Sequence, residues 1–158
     1  MRFTVREVMT KRVVAVPTTA AIDDVFDLLL RHNVSGLPVV DEEDRLVAVV
    51  SEANLLQLLD TPVSSDAPLS DLWTEDVIAV RPDDSLPDVI ELFRQHQVRR
   101  FPVIDADGKL VGVVSRRDVI RMIRDVRAQV ARECETLHIR ATASAMAAAR
   151  ALATVGAH

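Results

Sequence analysis

The stretch L-V-G-V-V-S-R-R-D, from Leu110 to Asp118, joins an apolar strand to the start of a helix. Gly112 interrupts the strand, and because glycine has no Cβ, another group can approach the backbone closely there. Ser115 stands where a helix N-cap places a hydroxyl beside free N–H groups, which suits an anion. Asp118, one turn later, can accept hydrogen bonds from two neighbouring hydroxyls, such as a ribose diol. The stretch therefore predicts a small clamp for phosphate and sugar.

The same stretch also fits a purely structural role. Serine followed three residues later by an acid, ahead of an apolar run, is an ordinary capping box. A glycine inside a strand can mark a bulge. The motif alone does not decide between the two interpretations.

An internal repeat strengthens the ligand interpretation. When the sequence is shifted by 64 positions, residues 5–60 align with residues 69–124, and 17 of the 56 pairs are identical. H-N-V-S-G-L-P-V-V-D (His32 to Asp41) meets H-Q-V-R-R-F-P-V-I-D (His96 to Asp105), and L-V-A-V-V-S meets L-V-G-V-V-S. One structural unit is therefore used twice.

The chain here resembles the tandem cystathionine-β-synthase (CBS) domain pair, also called a Bateman module, over about Thr4 to Ile123. The resemblance rests on V-M-T at Val8 to Thr10, on an apolar-Pro-apolar strand in each half, and on the G-h-h-S-x-x-D ending, in which h is an apolar residue and x is any residue. It implies two halves related by a pseudo-twofold axis, with ligand clefts between them.

Periodicity predicts an α/β fold of two β-α-β-β-α repeats followed by a helical extension. The expected strands are 13–16, 37–40, 46–50, 77–80, 101–104 and 110–114, and the expected helices are 20–32, 52–59, 85–96 and one that starts at Ser115. The predicted boundaries are residues 1–60 for the first repeat, 61–68 for a linker, 69–124 for the second repeat and 125–158 for an alanine-rich tail.

The helix that starts at Ser115 is expected to continue to about Glu135, with an apolar stripe from Val119 to Ala131. Such a stripe needs a partner, so the sequence predicts a homodimer. From Ala141 to Ala153, eight of thirteen residues are alanine. This segment is either a disordered tail or a helix that docks onto a second subunit.

Composition limits the function. The net charge of −5 argues against general binding to nucleic acid or to a membrane surface, since such proteins normally carry a basic excess. Cys134 has no second cysteine with which to form an internal disulfide, and no leader or long apolar run is evident, so we expect a cytoplasmic protein.

The two halves differ at the clamp. Where the second repeat has Gly112, Ser115 and Asp118, the first has Ala48, Ser51 and Asn54. Glu52 adds a negative charge beside the first clamp, and an amide fits a diol less well than a carboxylate does. The sequence therefore predicts one intact and one degraded site.

The resemblance implies that each clamp works with an adenine slot supplied by the opposite repeat. For the intact clamp of Gly112, Ser115 and Asp118, the implied slot consists of Thr10, Val13, Val14, Val34, Ser35 and Pro38. The local cations are Arg99, Arg100, Arg116 and Arg117, with Arg100 the first candidate for phosphate. The alternatives are that the apolar residues of the slot belong to the core and that the arginines are ordinary surface residues.

The leading hypothesis is a regulatory module that requires no cofactor, binds an adenosine-containing ligand and signals to an effector protein. The ligand could be AMP, ADP, ATP, a dinucleotide or S-adenosylmethionine. The alternative is a ligand-independent dimerisation or scaffold protein. Enzymatic activity has little support, since no catalytic motif is present; His32 and His96 suit helix ends, and Asp23, Asp24 and Asp27 suit a solvated helix face better than a metal site.

Overall fold

The computed structural model of the chain describes residues 3–60, 64 and 67–155, with side chains as far as residue 147. The chain divides into two compact units, Met1–Val119 and Ile120–His158. Both sequence repeats lie in the first unit. Of the linker predicted at 61–68, only residues 64, 67 and 68 fall within the described part of the chain.

The first repeat forms a three-stranded sheet with helices. Its elements in chain order are α1 (Val5–Val8), β1 (Val16–Pro17), α2 (Ile22–His32), β2 (Gly36–Val40), β3 (Leu46–Ser51) and α3 (Glu52–Leu56). Strand β2 lies between β1, which is parallel to it, and β3, which is antiparallel. Helix α2 buries Ile22, Val25 and Leu29, at the spacing of one helix face, and ends at Asn33 in the left-handed conformation.

The second repeat reproduces this pattern. Its elements are α4 (Leu86–Gln95), β4 (Arg100–Ile104), β5 (Leu110–Ser115) and the start of α5 (Arg116–Val155). Strands β4 and β5 are antiparallel, and the register shifts between Val103 and Ile104, as it shifts between Val39 and Val40 in the first repeat. Because irregularities occur at matching positions, the predicted α/β architecture of two equivalent units is confirmed.

The strands predicted ahead of the two hairpins are mostly absent. Of residues 13–16, only Val16 enters β1, and of residues 77–80, only Val80 makes a bridge, to Val103. The reason is that each of these segments crosses between the repeats. Thr10 pairs with Val113 of the second repeat before Val16 pairs within the first.

The opening segments of the two repeats are exchanged. Thr10 and Val113 form two backbone hydrogen bonds, of 2.9 and 3.0 Å, and Thr74 forms two with Val49, of 2.8 and 3.0 Å. Leu69, from the opening of the second repeat, is buried in the hydrophobic core of the first. Each repeat is therefore completed by the other, and a side chain near Thr10 lies beside strand β5.

The hydrophobic core follows the predicted periodicity. Its largest fully buried side chains include Leu37 and Val50 in the first repeat and Phe101 and Val114 in the second. The rings of Phe93 and Phe101 lie 4.6 Å apart between centroids. No buried polar or charged residue occurs within the described residues of the first unit, so polar side chains are confined to surfaces and clefts.

Helix α5 is longer than the sequence predicts. It extends from Arg116 to Val155, through the alanine-rich segment, so that segment is helical rather than a disordered tail. Ile123, Val130 and Leu137 are spaced by seven residues and are 45%, 53% and 65% exposed. The stripe expected from Val119 to Ala131 is therefore largely exposed beyond Val119, with Val126 partly buried, and Val119 itself is buried in the first unit.

Candidate functional site

Two neighbouring cavities open between the repeats, at pseudo-equivalent positions. We name the first the Asp118 cavity; it has a volume of about 230 Å³. Its lining consists of Thr10, Arg12, Val13, Val14, Val34, Gly36, Pro38, Arg100, Val113, Ser115 and Asp118. This list joins the clamp of the second repeat to the opening segment of the first, which is the combination that the resemblance implies.

We name the other the Ser51 cavity, which has a volume of about 340 Å³. It lies beside the altered clamp of the first repeat and is the larger of the two. Its lining consists of Ser35, Gly36, Pro38, Val49, Ser51, Glu52, Ala53, Gln97, Val98, Arg99, Arg100, Pro102 and Val113. Gly36, Pro38, Arg100 and Val113 line both cavities, so the two are adjacent.

The carboxylate of Asp118 forms a capping box with Ser115. The backbone N–H of Ser115 donates to Asp118 Oδ2 at 2.9 Å, and its hydroxyl donates to the same oxygen at 2.5 Å. In return, Ser115 Oγ accepts from the backbone N–H of Asp118 at 3.2 Å. The structural interpretation of the motif is thus satisfied, and the same two residues also line the Asp118 cavity.

Asn54 forms the same capping box in the first repeat. Its Oδ1 accepts from the N–H of Ser51 at 2.9 Å and from the Ser51 hydroxyl at 2.7 Å. The Asn54 amide nitrogen donates to the Thr74 hydroxyl at 3.3 Å. The amide therefore replaces the carboxylate in the cap without loss, and the two repeats differ in charge at this position rather than in local backbone structure.

Arg100 occupies the boundary between the two cavities. It begins β4 opposite Ser115, and the matching residue Gly36 begins β2 opposite Ser51. The Arg100 side chain is half-buried, and within the described residues its Nε is buried with no hydrogen-bond partner. Burial lowers the pKa of Arg100, and the negative charge of Asp118 opposes that shift. A half-buried guanidinium with an unused donor is well suited to bind an anion.

Gly112 lies outside the lining of both cavities. It is buried on the core side of β5, and a Cβ at this position would lie 2.8 Å from Met9 Sδ and 3.2 Å from the carbonyl oxygen of Thr10. The group that approaches the glycine is therefore the exchanged opening segment. Ala48, at the matching position, is buried in the core of the first repeat.

The other predicted residues are divided between different surroundings. Ser35 and Arg99 line the Ser51 cavity rather than the Asp118 cavity. Arg117 is exposed and lines neither. Arg116 donates to the carbonyl oxygens of Phe93 at 2.7 Å and His96 at 3.1 Å, so it caps the end of α4 and is committed to the fold.

Sequence reasoning missed three residues of the Asp118 cavity: Arg12, Gly36 and Val113. Gly36 and Val113 could have been found, since they immediately adjoin Ser35 and Gly112 in the quoted motifs. Arg12 has no such signal, because it is one of two adjacent exposed cations, Lys11 and Arg12, and nothing in the sequence distinguishes them. Arg12 matches Asp76 in the second repeat, and Asp76 does not line the Ser51 cavity, so Arg12 has no matching charged residue in that lining.

The apolar slot residues lie at the edge of the hydrophobic core of the first repeat, and Val14 and Val34 pack against it. Val13, Val14 and Val34 are half-buried and present side chains to the cavity, whereas Pro38 is buried.

Among the described residues, no group of three or more histidine, cysteine, aspartate or glutamate side chains is arranged to hold a metal ion. The described part of the chain also contains no helix of the length and apolar character needed to cross a membrane.

Comparisons with known proteins identify both repeats. A model of the CBS domain matches residues 5–61 and 69–125. The crystal structure of CBSX2 from Arabidopsis thaliana in complex with AMP is 36% identical, covers 79% of this chain and 98% of that chain, and has a TM-score of 0.72. A second similar structure is the CBS domain pair of protein MJ0100, crystallised with 5-methylthioadenosine and S-adenosyl-L-methionine. It is 22% identical, covers 79% of this chain and 98% of that chain, and has a TM-score of 0.70. At that identity, the similarity supports the fold alone.

Among curated sequences, the uncharacterized protein MJ1225 of Methanocaldococcus jannaschii is 31% identical over 119 residues, which are 75% of this chain. This chain spans 42% of the length of MJ1225 and 65% of the full CBSX2 sequence, to which it is 32% identical. The matched family regions end at residue 125, so most of α5 lies beyond them.

Proposed function

Because the chain belongs to the CBS domain family and carries two copies of the domain, we propose that it is a regulatory module that binds an adenosine-containing ligand. The observation that carries this proposal is the Asp118 cavity, in which a carboxylate and a serine from one repeat face the apolar opening segment of the other. The AMP complex of CBSX2 supports the ligand class, since the similarity to that structure covers 79% of this chain.

We assign roles to the cavity residues from their chemistry. Val13, Val14 and Val34 offer apolar surface to a purine, and the backbone beside Thr10 offers polar groups to its edge. Asp118 accepts the hydroxyls of a ribose, and Arg100 with Arg12 neutralises phosphate. This division places the sugar at the capping box and the anion toward the boundary between the cavities.

The module acts by changing shape or by altering an effector protein, and it performs no reaction of its own. Ligand binding between two repeats that exchange their opening segments stabilises the contacts between them. We propose that this stabilisation is the signal that the effector reads.

A panel of adenosine ligands tests this function. Thermal unfolding would be followed with AMP, ADP, ATP, a dinucleotide and S-adenosylmethionine, with GMP as the control for base recognition. A ligand that binds only the native state raises the melting temperature, by an amount equivalent to about 2.7 kcal/mol at one hundred times its Kd. No shift with any member of the panel, or an equal shift with GMP, would contradict the proposal.

A ligand-independent scaffold is the second candidate, and one observation favours it. The capping boxes at Ser51 and Ser115 account for both serine motifs without any ligand. If the scaffold function is correct, the panel produces no shift, and substitution of Asp118 changes stability only.

A further inference from the structure

We propose that Arg100 is a single cation shared by the two cavities, so that an anionic ligand bound in one cavity weakens the binding of an anionic ligand in the other. This inference rests on the proposed function and deepens it by stating how the two cavities regulate each other. It depends on the placement of one side chain and on the charges around it.

The repeat would ordinarily supply two equivalent residues at this boundary. Here the pair is Gly36 and Arg100, and both line both cavities. A Cβ on Gly36 would lie 3.3 Å from the carbonyl oxygen of Val50, so the first repeat has little room for a side chain at this position. The boundary therefore holds one guanidinium where exact twofold symmetry would place two.

Arg100 lines both cavities and has charged neighbours in each of them. Its Nε is buried and has no partner among the described residues. The carboxylates of Asp118 in one cavity and of Glu52 in the other attract it, whereas Arg117 and Arg99 repel it. A planar guanidinium presents five N–H donors, but it carries only one positive charge to divide between two ligands.

The charge balance sets the sign of the coupling. Of the described residues that line the two cavities, three are arginines (Arg12, Arg99 and Arg100) and two are acids (Glu52 and Asp118), which gives a net charge of +1. A nucleoside monophosphate brings a charge of about −1.5 to −2 near neutral pH. The first such ligand therefore makes the region net negative, and the second binds without the charge that attracted the first.

Calorimetric titration with AMP and with adenosine tests this coupling. Adenosine lacks the phosphate, so a difference between the cavities in base and ribose contacts affects both probes, whereas Arg100 and the other charged residues of the two linings act on the phosphate of AMP alone. We expect the ratio of the second to the first Kd to be about tenfold larger for AMP than for adenosine. Equal ratios for the two probes would overturn the proposal.

Arg100→Gln separates the shared cation from direct repulsion between two phosphates. We expect this variant to weaken the first AMP about tenfold and the second less than about threefold, so the ratio for AMP falls towards that for adenosine. The matched control is Arg94→Gln, an exposed arginine of α4 that is paired with Glu91 and lines neither cavity. An unchanged AMP ratio in Arg100→Gln would attribute the coupling to the phosphates and overturn the role of Arg100.

The remaining outcomes are also decisive. If only one AMP binds per chain, adenosine added to the AMP-loaded protein must still bind; its exclusion would indicate steric overlap and contradict the proposal. If two adenosine molecules bind but AMP shows no coupling, the proposed function stands and this inference fails. If neither probe binds, the proposed function fails and the coupling fails with it.

Discussion

Replacing Asp118 by asparagine separates the two roles of its carboxylate. In the structure, Asp118 Oδ2 accepts two hydrogen bonds from Ser115 in the capping box. Asn54 makes the same two bonds to Ser51 through Oδ1, so this fold already accommodates the amide at the matching position. Asp118→Asn therefore preserves the cap and removes only the negative charge and one acceptor from the cavity.

The expected loss of affinity follows from that difference. A hydrogen bond to a charged group contributes about 1.5 to 3 kcal/mol, so losing the carboxylate weakens AMP by roughly 10- to 150-fold. The melting temperature without ligand falls less than in a variant that loses the cap, because Asp118→Asn keeps the cap and loses the attraction of the carboxylate to Arg100. Titration calorimetry measures the first quantity, and thermal unfolding without ligand measures the second.

Two alanine variants complete the comparison. Asp118→Ala and Asn54→Ala each remove the two hydrogen bonds that the side chain accepts from its N-cap serine, which costs about 1 kcal/mol and lowers the melting temperature by roughly 2 to 4 °C. Asp118→Ala also weakens AMP about tenfold or more, whereas Asn54→Ala changes its affinity by less than about threefold. Equal effects of the two variants on AMP, or an unchanged affinity in Asp118→Asn, would refute the assignment of the ribose to Asp118.

Three further predictions concern the fold and its assembly. Gly112→Ala places a Cβ 2.8 Å from Met9 Sδ and 3.2 Å from the backbone carbonyl oxygen of Thr10, which is held by its bond to Val113, so we expect a loss of about 1 to 3 kcal/mol in urea unfolding; an unchanged midpoint would contradict the close contact. Backbone N–H groups of Arg45 and Glu43 lower the pKa of Asp41, so the stability that Asp41 contributes is present above its ordinary value of 3.8 and is lost as the pH falls through the lower native value. Urea midpoints of wild type and Asp41→Asn should therefore differ by a constant amount above about pH 4, begin to converge below it, and meet once the pH is below the lowered native pKa. The exposed heptad of α5 predicts a homodimer, which Val130→Glu should dissociate; light scattering of the wild type at one chain mass at micromolar concentration would exclude it.

The hairpins could be predicted from sequence because their determinants are local. In each hairpin, β2–β3 and β4–β5, two apolar segments are separated by a turn of only a few residues, at 41–45 and at 105–109. Such neighbouring segments can be paired from the sequence alone. The first strands could not be predicted in the same way. Val13 and Val14 have the composition of a strand, but their neighbour Thr10 pairs with Val113, more than one hundred residues later, and no local pattern indicates such an exchange.

The same limitation applies to Gly112. Its lack of a Cβ correctly indicates that another group approaches the backbone, but the sequence does not say which group. In the structure the approaching atoms belong to Met9 and Thr10, so the glycine acts by fitting the opening segment that positions Thr10 at the cavity. Its effect on a ligand is indirect, through the placement of a neighbouring strand.

The repeat itself provides the strongest argument about function, because it supplies an internal control at every position. The two halves share register, bulge and capping geometry, so the cavities differ mainly where matched residues differ in charge or size. Asn54 and Asp118 form equivalent caps, one with an amide and the other with a carboxylate. Because either group makes the cap, the need for a cap does not explain why the second repeat has a carboxylate. Gly36 and Arg100 occupy equivalent backbone positions, and folding alone gives no reason for a half-buried guanidinium with an unsatisfied Nε. Both departures from symmetry lie at the Asp118 cavity, and together they supply an acceptor for hydroxyls and a donor for an anion, which are the two groups that a nucleotide presents beyond its base.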